Sequence, residues 1–217
     1  MLNGFGFMLQ YTGLVLTTAA KTALLVDLNV IAVAILSWKF YKEPMTSSKL
    51  LGVVLGVMGA VLITTNGNPS AMAHGELSGD VLVFLAGLSW AAFIVLHKKF
   101  QTQKQMDPVE LSAVVMVITA LSLFPSSLVF GSLGFERIPL QGWEWIGFIA
   151  LACTVVPYAI WVAALRAVSA TVAAIMGMLE IVVAMILSTV FLGEAYSNMT
   201  LIGAVLILLS VFAVAES

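Results

Sequence analysis

Asp27 and Glu180 are acidic side chains set inside long apolar runs, where a charge has no water to solvate it. A carboxylate at the centre of a bilayer costs about 2.5–3.5 kcal/mol on insertion scales, so it faces a cavity, finds a partner or carries a proton. Glu180 falls near the middle of the run 170–192, and Asp27 lies half a turn from the polar Asn29 in the run 21–39. Glu180, Asn29 and Asp27 are therefore candidates to line a pocket that binds a polar or cationic group. Glu180 is also the proton-coupling candidate, because a carboxyl that exchanges its proton for substrate links the two movements. The competing reading keeps Glu180 protonated and hydrogen-bonded between helices, where it holds packing and moves nothing.

Aromatic side chains supply candidate apolar walls. Tyr158 and Trp161 are three residues apart and share a helix face, beside Pro157, which frees a backbone carbonyl. Trp90, Phe93 and His97 form a similar stripe. Tyr158, Trp161 and Trp90 are assigned to the pocket, and Phe93 to lipid or helix contact. His97 adjoins Lys98 and Lys99, which reads as a snorkelling residue at the membrane edge. Glu43 and Glu194 end apolar runs and are assigned to hydrogen bonds at helix ends.

Other chemistries lack their residues. There is no GxSxG serine, no HExxH pair and no GxxxxGK[ST] phosphate loop, which argues against membrane hydrolases and single-chain ATP-driven pumps. The lone Cys153 forms no CxxC pair, so neither a metal centre nor a redox couple is expected, and no cofactor. The net charge of −2 carries no basic cluster of the kind that binds nucleic acid.

These residues must be positioned by membrane helices. The 217-residue chain is 61% hydrophobic and only 9% charged, well above the roughly 45–50% apolar content of soluble domains. Taking about 20 apolar residues per crossing, eight spans are expected, at roughly 3–19, 21–39, 49–66, 79–97, 109–131, 143–165, 170–192 and 198–215. Nothing alternates as barrel strands do, so the fold class is all-α integral membrane. Asp107-Pro108-Val109-Glu110 is a helix start, Asn66-Gly67-Asn68-Pro69 is turn chemistry, and Trp143 and Trp145 suit an interfacial belt. No basic residue precedes Lys21, which argues against a cleaved signal peptide.

Seven of the nine basic residues fall on one side of these spans: Lys39, Lys42, Lys49, Lys98, Lys99, Lys104 and Arg166. The positive-inside rule makes that side cytoplasmic, with both termini there. A multi-pass protein of the plasma (inner) membrane is expected, with the lipid bilayer and a small-molecule substrate as its partners.

An internal repeat agrees with this topology. Residues 35–43 and 186–194 share the pattern ILSxxFxxE at an offset of 151. At the same offset Leu14 pairs with Leu165, Ala19 with Ala170, Leu28 with Leu179 and Gly52 with Gly203, and Asn29 corresponds to Glu180. The copies lie five crossings apart and so run in opposite directions. That is an inverted-topology repeat, whose substrate site is expected at midplane where the copies meet. Gly52, Gly56 and Ala60 form a small-residue ridge for packing within the first half or for a possible homodimer contact, and Ala173 with Gly177 forms another.

With Ala164-Leu165, Ser169-Ala170, Leu179-Glu180 and Leu192-Gly193-Glu194 in place, the chain resembles EamA-type permeases of the drug/metabolite transporter superfamily. The resemblance implies two inverted five-helix halves. Here it covers residues 1–66 as an incomplete first repeat of three helices, 67–78 as an external linker, and 79–217 as a complete second repeat of five. This is a 3+5 remnant of a 5+5 bundle, apparently lacking the first two helices of the family. The family's proline after the polar mid-helix position is replaced by Val30 and Ile181, which implies straighter helices. The function implied is a secondary transporter, or permease, exporting a small organic metabolite such as an amino acid, amine or drug by alternating access. The alternative is a truncated, transport-incompetent fragment or an accessory membrane subunit.

Overall fold

The computed structural model describes residues 1–104, 107–130 and 138–215, and among these every regular element is helical. In chain order the helices are α1 (Leu2–Leu16), α2 (Ala19–Asp27), α3 (Asn29–Tyr41), α4 (Ser47–Thr65), α5 (Leu77–Lys104), α6 (Pro108–Phe130), α7 (Leu140–Ala150), α8 (Val156–Ala167), α9 (Ala170–Gly177), α10 (Leu179–Leu192) and α11 (Asn198–Ala215). A π-helical stretch, Leu151–Val155, joins α7 to α8, and Pro69–Met72 makes a short 3-10 turn. Taken through their internal breaks, seven of these helical runs are long and apolar enough to cross a membrane. The eighth segment, α1, has 15 residues. Its first turn meets the middle of α5, where Ser89 Oγ donates to the Leu2 carbonyl at 2.9 Å. Arg137 and the end of the span drawn to residue 131 lie outside the described residues.

The two copies of the repeat have the same boundaries. α2 and α9 begin 151 residues apart, each capped by a hydroxyl: Thr18 accepts from Lys21 N–H at 3.2 Å and Ser169 from Val172 N–H at 3.3 Å. α3 and α10 end 151 residues apart on left-handed residues, Lys42 (φ 50°) and Gly193 (φ 68°). There the Glu43 N–H donates back to the Ser37 carbonyl at 3.3 Å, and the Glu194 N–H to the Ser188 carbonyl at 3.4 Å. Such a turn satisfies carbonyls that the last helical turn leaves open. The next helix starts in both copies one residue after a hydroxyl, Thr46 or Ser197, which accepts from the first turn. The recurring ILSxxFxxE pattern is thus a helix end with its capping turn.

Both repeat helices are interrupted at mid-depth, which corrects the expectation of straight helices. Leu28 separates α2 from α3, and Met178 separates α9 from α10. No proline is involved. The ladder tightens to 3-10 bonds instead, Ile31 N–H to Leu28 O at 3.1 Å and Ile181 N–H to Met178 O at 3.2 Å. This keeps the amides bonded where lipid offers no alternative, and such a turn inside a helix often marks a hinge.

The ridge on α4 packs against the second half, rather than within the first. A Cβ on Gly59 would stand 2.6 Å from the Gly203 carbonyl of α11, and one on Gly203 would stand 2.7 Å from that of Gly59. Gly52 and Gly56 likewise face Val214 and Ser210 of α11. Small residues let antiparallel backbones touch, the usual device where hydrophobicity cannot drive association. One core cluster joins Val30, Val53, Ile175, Val182 and Ile207. A second, of Val33, Ala91, Val95 and Ala170, packs toward the end of the bundle that carries Lys39, Lys42, Lys49, Lys98, Lys99 and Arg166. Lys21 lies at the opposite end, where its ammonium meets Asp80 at 2.6 Å and Thr17 donates to the same carboxylate.

Candidate functional site

All six residues singled out in the sequence line one cavity of about 420 Å³: Asp27, Asn29, Trp90, Tyr158, Trp161 and Glu180. The mid-helix breaks bring them there, because Asp27 and Asn29 flank the first and Glu180 follows the second. The lining also obeys the repeat. At the 151 offset Gln10 corresponds to Trp161, Val26 to Gly177, Asp27 to Met178 and Asn29 to Glu180, and all eight face the space. Gln10 escaped the reading of residue types, though the offset alone maps it onto Trp161.

Asp27 and Glu180 are near enough for their charges to interact. Neither side chain has a hydrogen bond or ion pair among the described residues, and no Lys or Arg lines the cavity. Glu180 is exposed to the open space, so it does not make the interhelical hydrogen bond of the competing reading. Two uncompensated acids in an apolar bundle face the cavity with a proton or a positive charge from elsewhere to neutralise them.

One wall is a continuous run of rings. Trp90 meets Phe93 edge-on at 6.4 Å, Phe93 meets His97 at 5.4 Å, and His97 meets Trp161 at 5.6 Å; Tyr158 stacks on Trp161 at 5.8 Å. Two expectations are corrected here. Phe93 lines the cavity instead of facing lipid. His97 is only 3% exposed and sits behind the wall with Nδ1 3.4 Å from Tyr158 Oη, so it does not snorkel. Its position four residues inward from Gln101 on a 28-residue helix explains this, since α5 extends beyond it and Gln101 donates to the Val162 carbonyl at 2.6 Å. Gly177, assigned to a packing ridge, borders the cavity with nothing within 4 Å of where a Cβ would stand.

The cavity communicates with one end of the bundle. A second space of about 660 Å³ shares Gln10, Val26, Asp27 and Glu180 with it and continues past Ile63 and Ser188 to Tyr196, at the end opposite the basic residues. Toward the basic end the way is shut by the Val33, Ala91, Val95 and Ala170 cluster and by His97. Below these, Lys98 Nζ donates to the carbonyls of Leu165, Arg166 and Val168 at 2.6, 3.2 and 2.8 Å. Glu43 holds Lys49 at 2.9 Å. Burial pushes the Glu43 carboxyl up, but the Lys49 and Ser169 hydrogen bonds and the Lys49 charge outweigh it and hold the group below its usual range. At the open end Glu194 accepts from Tyr196 Oη at 2.8 Å. Both glutamates thus make the helix-end hydrogen bonds expected of them.

The model of the EamA-like transporter family matches residues 1–65 and 77–215. The chain is 31% identical over 210 residues to the uncharacterized transporter YyaM of Bacillus subtilis, covering 95% of this chain and 68% of that one. It is 29% identical over 180 residues to a probable amino-acid metabolite efflux pump of Salmonella typhimurium, covering 79% of this chain and 59% of that protein. A solved crystal structure shares the fold at a TM-score of 0.78 and 17% identity, over 99% of this chain and 75% of the other. On these grounds the chain belongs to the EamA-like transporter family, and it is a membrane transporter, not an enzyme.

Proposed function

We propose that this transporter exports a small organic cation or zwitterion, an amine or an amino-acid derivative, across the plasma membrane by alternating access. The observation that carries the reading is the pair Asp27 and Glu180, set without a basic counter-charge in a cavity walled by Trp90, Phe93, Tyr158 and Trp161. A cation between carboxylates and aromatic faces gains from both, with cation–π attraction worth about 2 kcal/mol or more when desolvated. In the empty cycle, protons on the same carboxyls replace the cation, so substrate and proton exchange at one place. The relative in Salmonella typhimurium, named as a probable amino-acid metabolite efflux pump, supports both the substrate class and the direction.

The basic end is cytoplasmic in this reading, which puts the C-terminal end of α11 and residues 42–46 and 98–104 inside. Export then releases substrate through the end beside Tyr196. Residues 1–66 and 79–217 act as the two repeats whose rocking exposes the site to each side in turn.

The test is transport of a panel of primary to quaternary alkylamines into everted membrane vesicles under a pH gradient. Asp27→Asn and Glu180→Gln should each weaken apparent affinity for the accepted amine roughly 30-fold or more, the equivalent of about 2 kcal/mol for one lost charge partner. The Glu180→Gln protein should also lose its response to the gradient. Equal transport of neutral analogues by the wild type, or an unchanged pH response in Glu180→Gln, would refute the cation reading.

A further inference from the structure

The repeat extends to the parts that hold one end of the bundle shut. Glu43 follows α3, pairs with Lys49, and stands against the first turn of α9, where Ser169 caps the helix. The buried Thr171 hydroxyl beside it has no conventional hydrogen-bond partner. Lys98, close enough for its charge to reach Glu43, ties α5 to the carbonyls between α8 and α9. One carboxylate thereby joins the α3–α4 turn of the first half to the α8–α9 turn of the second.

At the offset of 151 the glutamate and the capping hydroxyl recur at the open end, while Thr200 stands in the place of Lys49 and Ala20 in that of Thr171. Glu194 follows α10 in the same capping turn, and Thr18 caps α2 as Ser169 caps α9. Here the parts are not engaged with each other. Glu194 is exposed and accepts from Tyr196 within its own turn, whose hydroxyl also meets Ser188 at 2.5 Å. Lys21, in the turn that Thr18 caps, is turned toward Asp80.

We infer that Glu43 and Glu194 are alternating latches of the two gates. In the conformation seen here Glu43 clasps the α9 start and Glu194 is held by Tyr196 within its own turn. When the open end closes, Glu194 leaves Tyr196 and docks on the Thr18-capped start of α2, with Lys21 as counter-charge, while Glu43 releases Ser169. The exchange trades the Ser169 contact of Glu43 for a Thr18 contact of Glu194, with Lys21 moving from Asp80, in two halves of one fold read in opposite senses. Two states within a few kcal/mol of one another are what a cycling transporter requires. This inference rests on the transport reading, but its test reads conformation and not substrate flux.

In the full chain carrying Cys153→Ser, two double-cysteine variants are exposed to a short thiol cross-linker in vesicles: Glu43→Cys with Ser169→Cys, and Thr18→Cys with Glu194→Cys. A separate Gly177→Cys variant reports access to the cavity from each side with an impermeant maleimide. The 43–169 pair should link at rest. The 18–194 pair should link only under a pH gradient that makes residue 177 reactive from the basic end. Charge-removing variants provide a second measurement: Glu194→Gln should shift labelling of residue 177 about tenfold toward the end beside Tyr196, and Glu43→Gln about tenfold the other way. Access to residue 177 from the basic end without an 18–194 link, or linking that ignores the gradient, overturns the latch alone. Labelling from one side under every condition overturns the latch and the transport reading together.

Discussion

Side chains that the bilayer makes expensive were the readable ones. Asp27 and Glu180 stood out because nothing but a cavity, partner or proton justifies them in an apolar run, and both line the central space. Gln10, Phe93 and Gly177 were harder to find for opposite reasons. An uncharged amide such as Gln10 costs less in an apolar run than a carboxylate, a phenylalanine suits lipid as well as a pocket, and a glycine announces only that something approaches closely. At Gly177 nothing does, since its missing side chain contributes empty volume to the cavity. Bulk there should act on transport and not on folding. Gly177→Ala is expected to leave thermal stability unchanged or slightly higher, because Ala favours a helix over Gly by about 1 kcal/mol. Gly177→Phe should fold equally well yet abolish uptake in vesicles; full uptake by Gly177→Phe would mean that substrate passes elsewhere.

At the scale of elements, the helices followed from apolar length, but their internal breaks did not. Neither repeat helix contains a proline, so the local rule predicted continuous helices. Each break is instead a single 3-10 turn that no residue type announces, at Leu28 and at Met178. The small-residue ridge on α4 was legible as a contact, yet its partner was not, because a GxxxG-type face matches any close helix. The partner is α11, at backbone distance between Gly59 and Gly203. Gly59→Ala forces those backbones apart and should cost about 1–3 kcal/mol, read as a melting temperature several degrees lower in detergent. Stability equal to wild type would show that α4 and α11 do not pack this closely in the membrane.

For the molecule as a whole, the strongest evidence in the sequence was relational. No single residue of ILSxxFxxE is informative, but two copies an odd number of crossings apart specify antiparallel halves, and the cavity inherits their symmetry. What the offset could not provide is the state of the gates, because a repeat describes both conformations equally. Only the packing shows the way past Tyr196 open and the way past Lys98 shut. The central claim is that the halves are inverted, and sidedness tests it most directly. With Cys153→Ser as background, Met45→Cys and Ala195→Cys are labelled separately with an impermeant maleimide in intact cells and in everted vesicles. Inverted halves require residue 195 to react in cells and residue 45 only in everted vesicles; reaction of both from the same side would contradict the account.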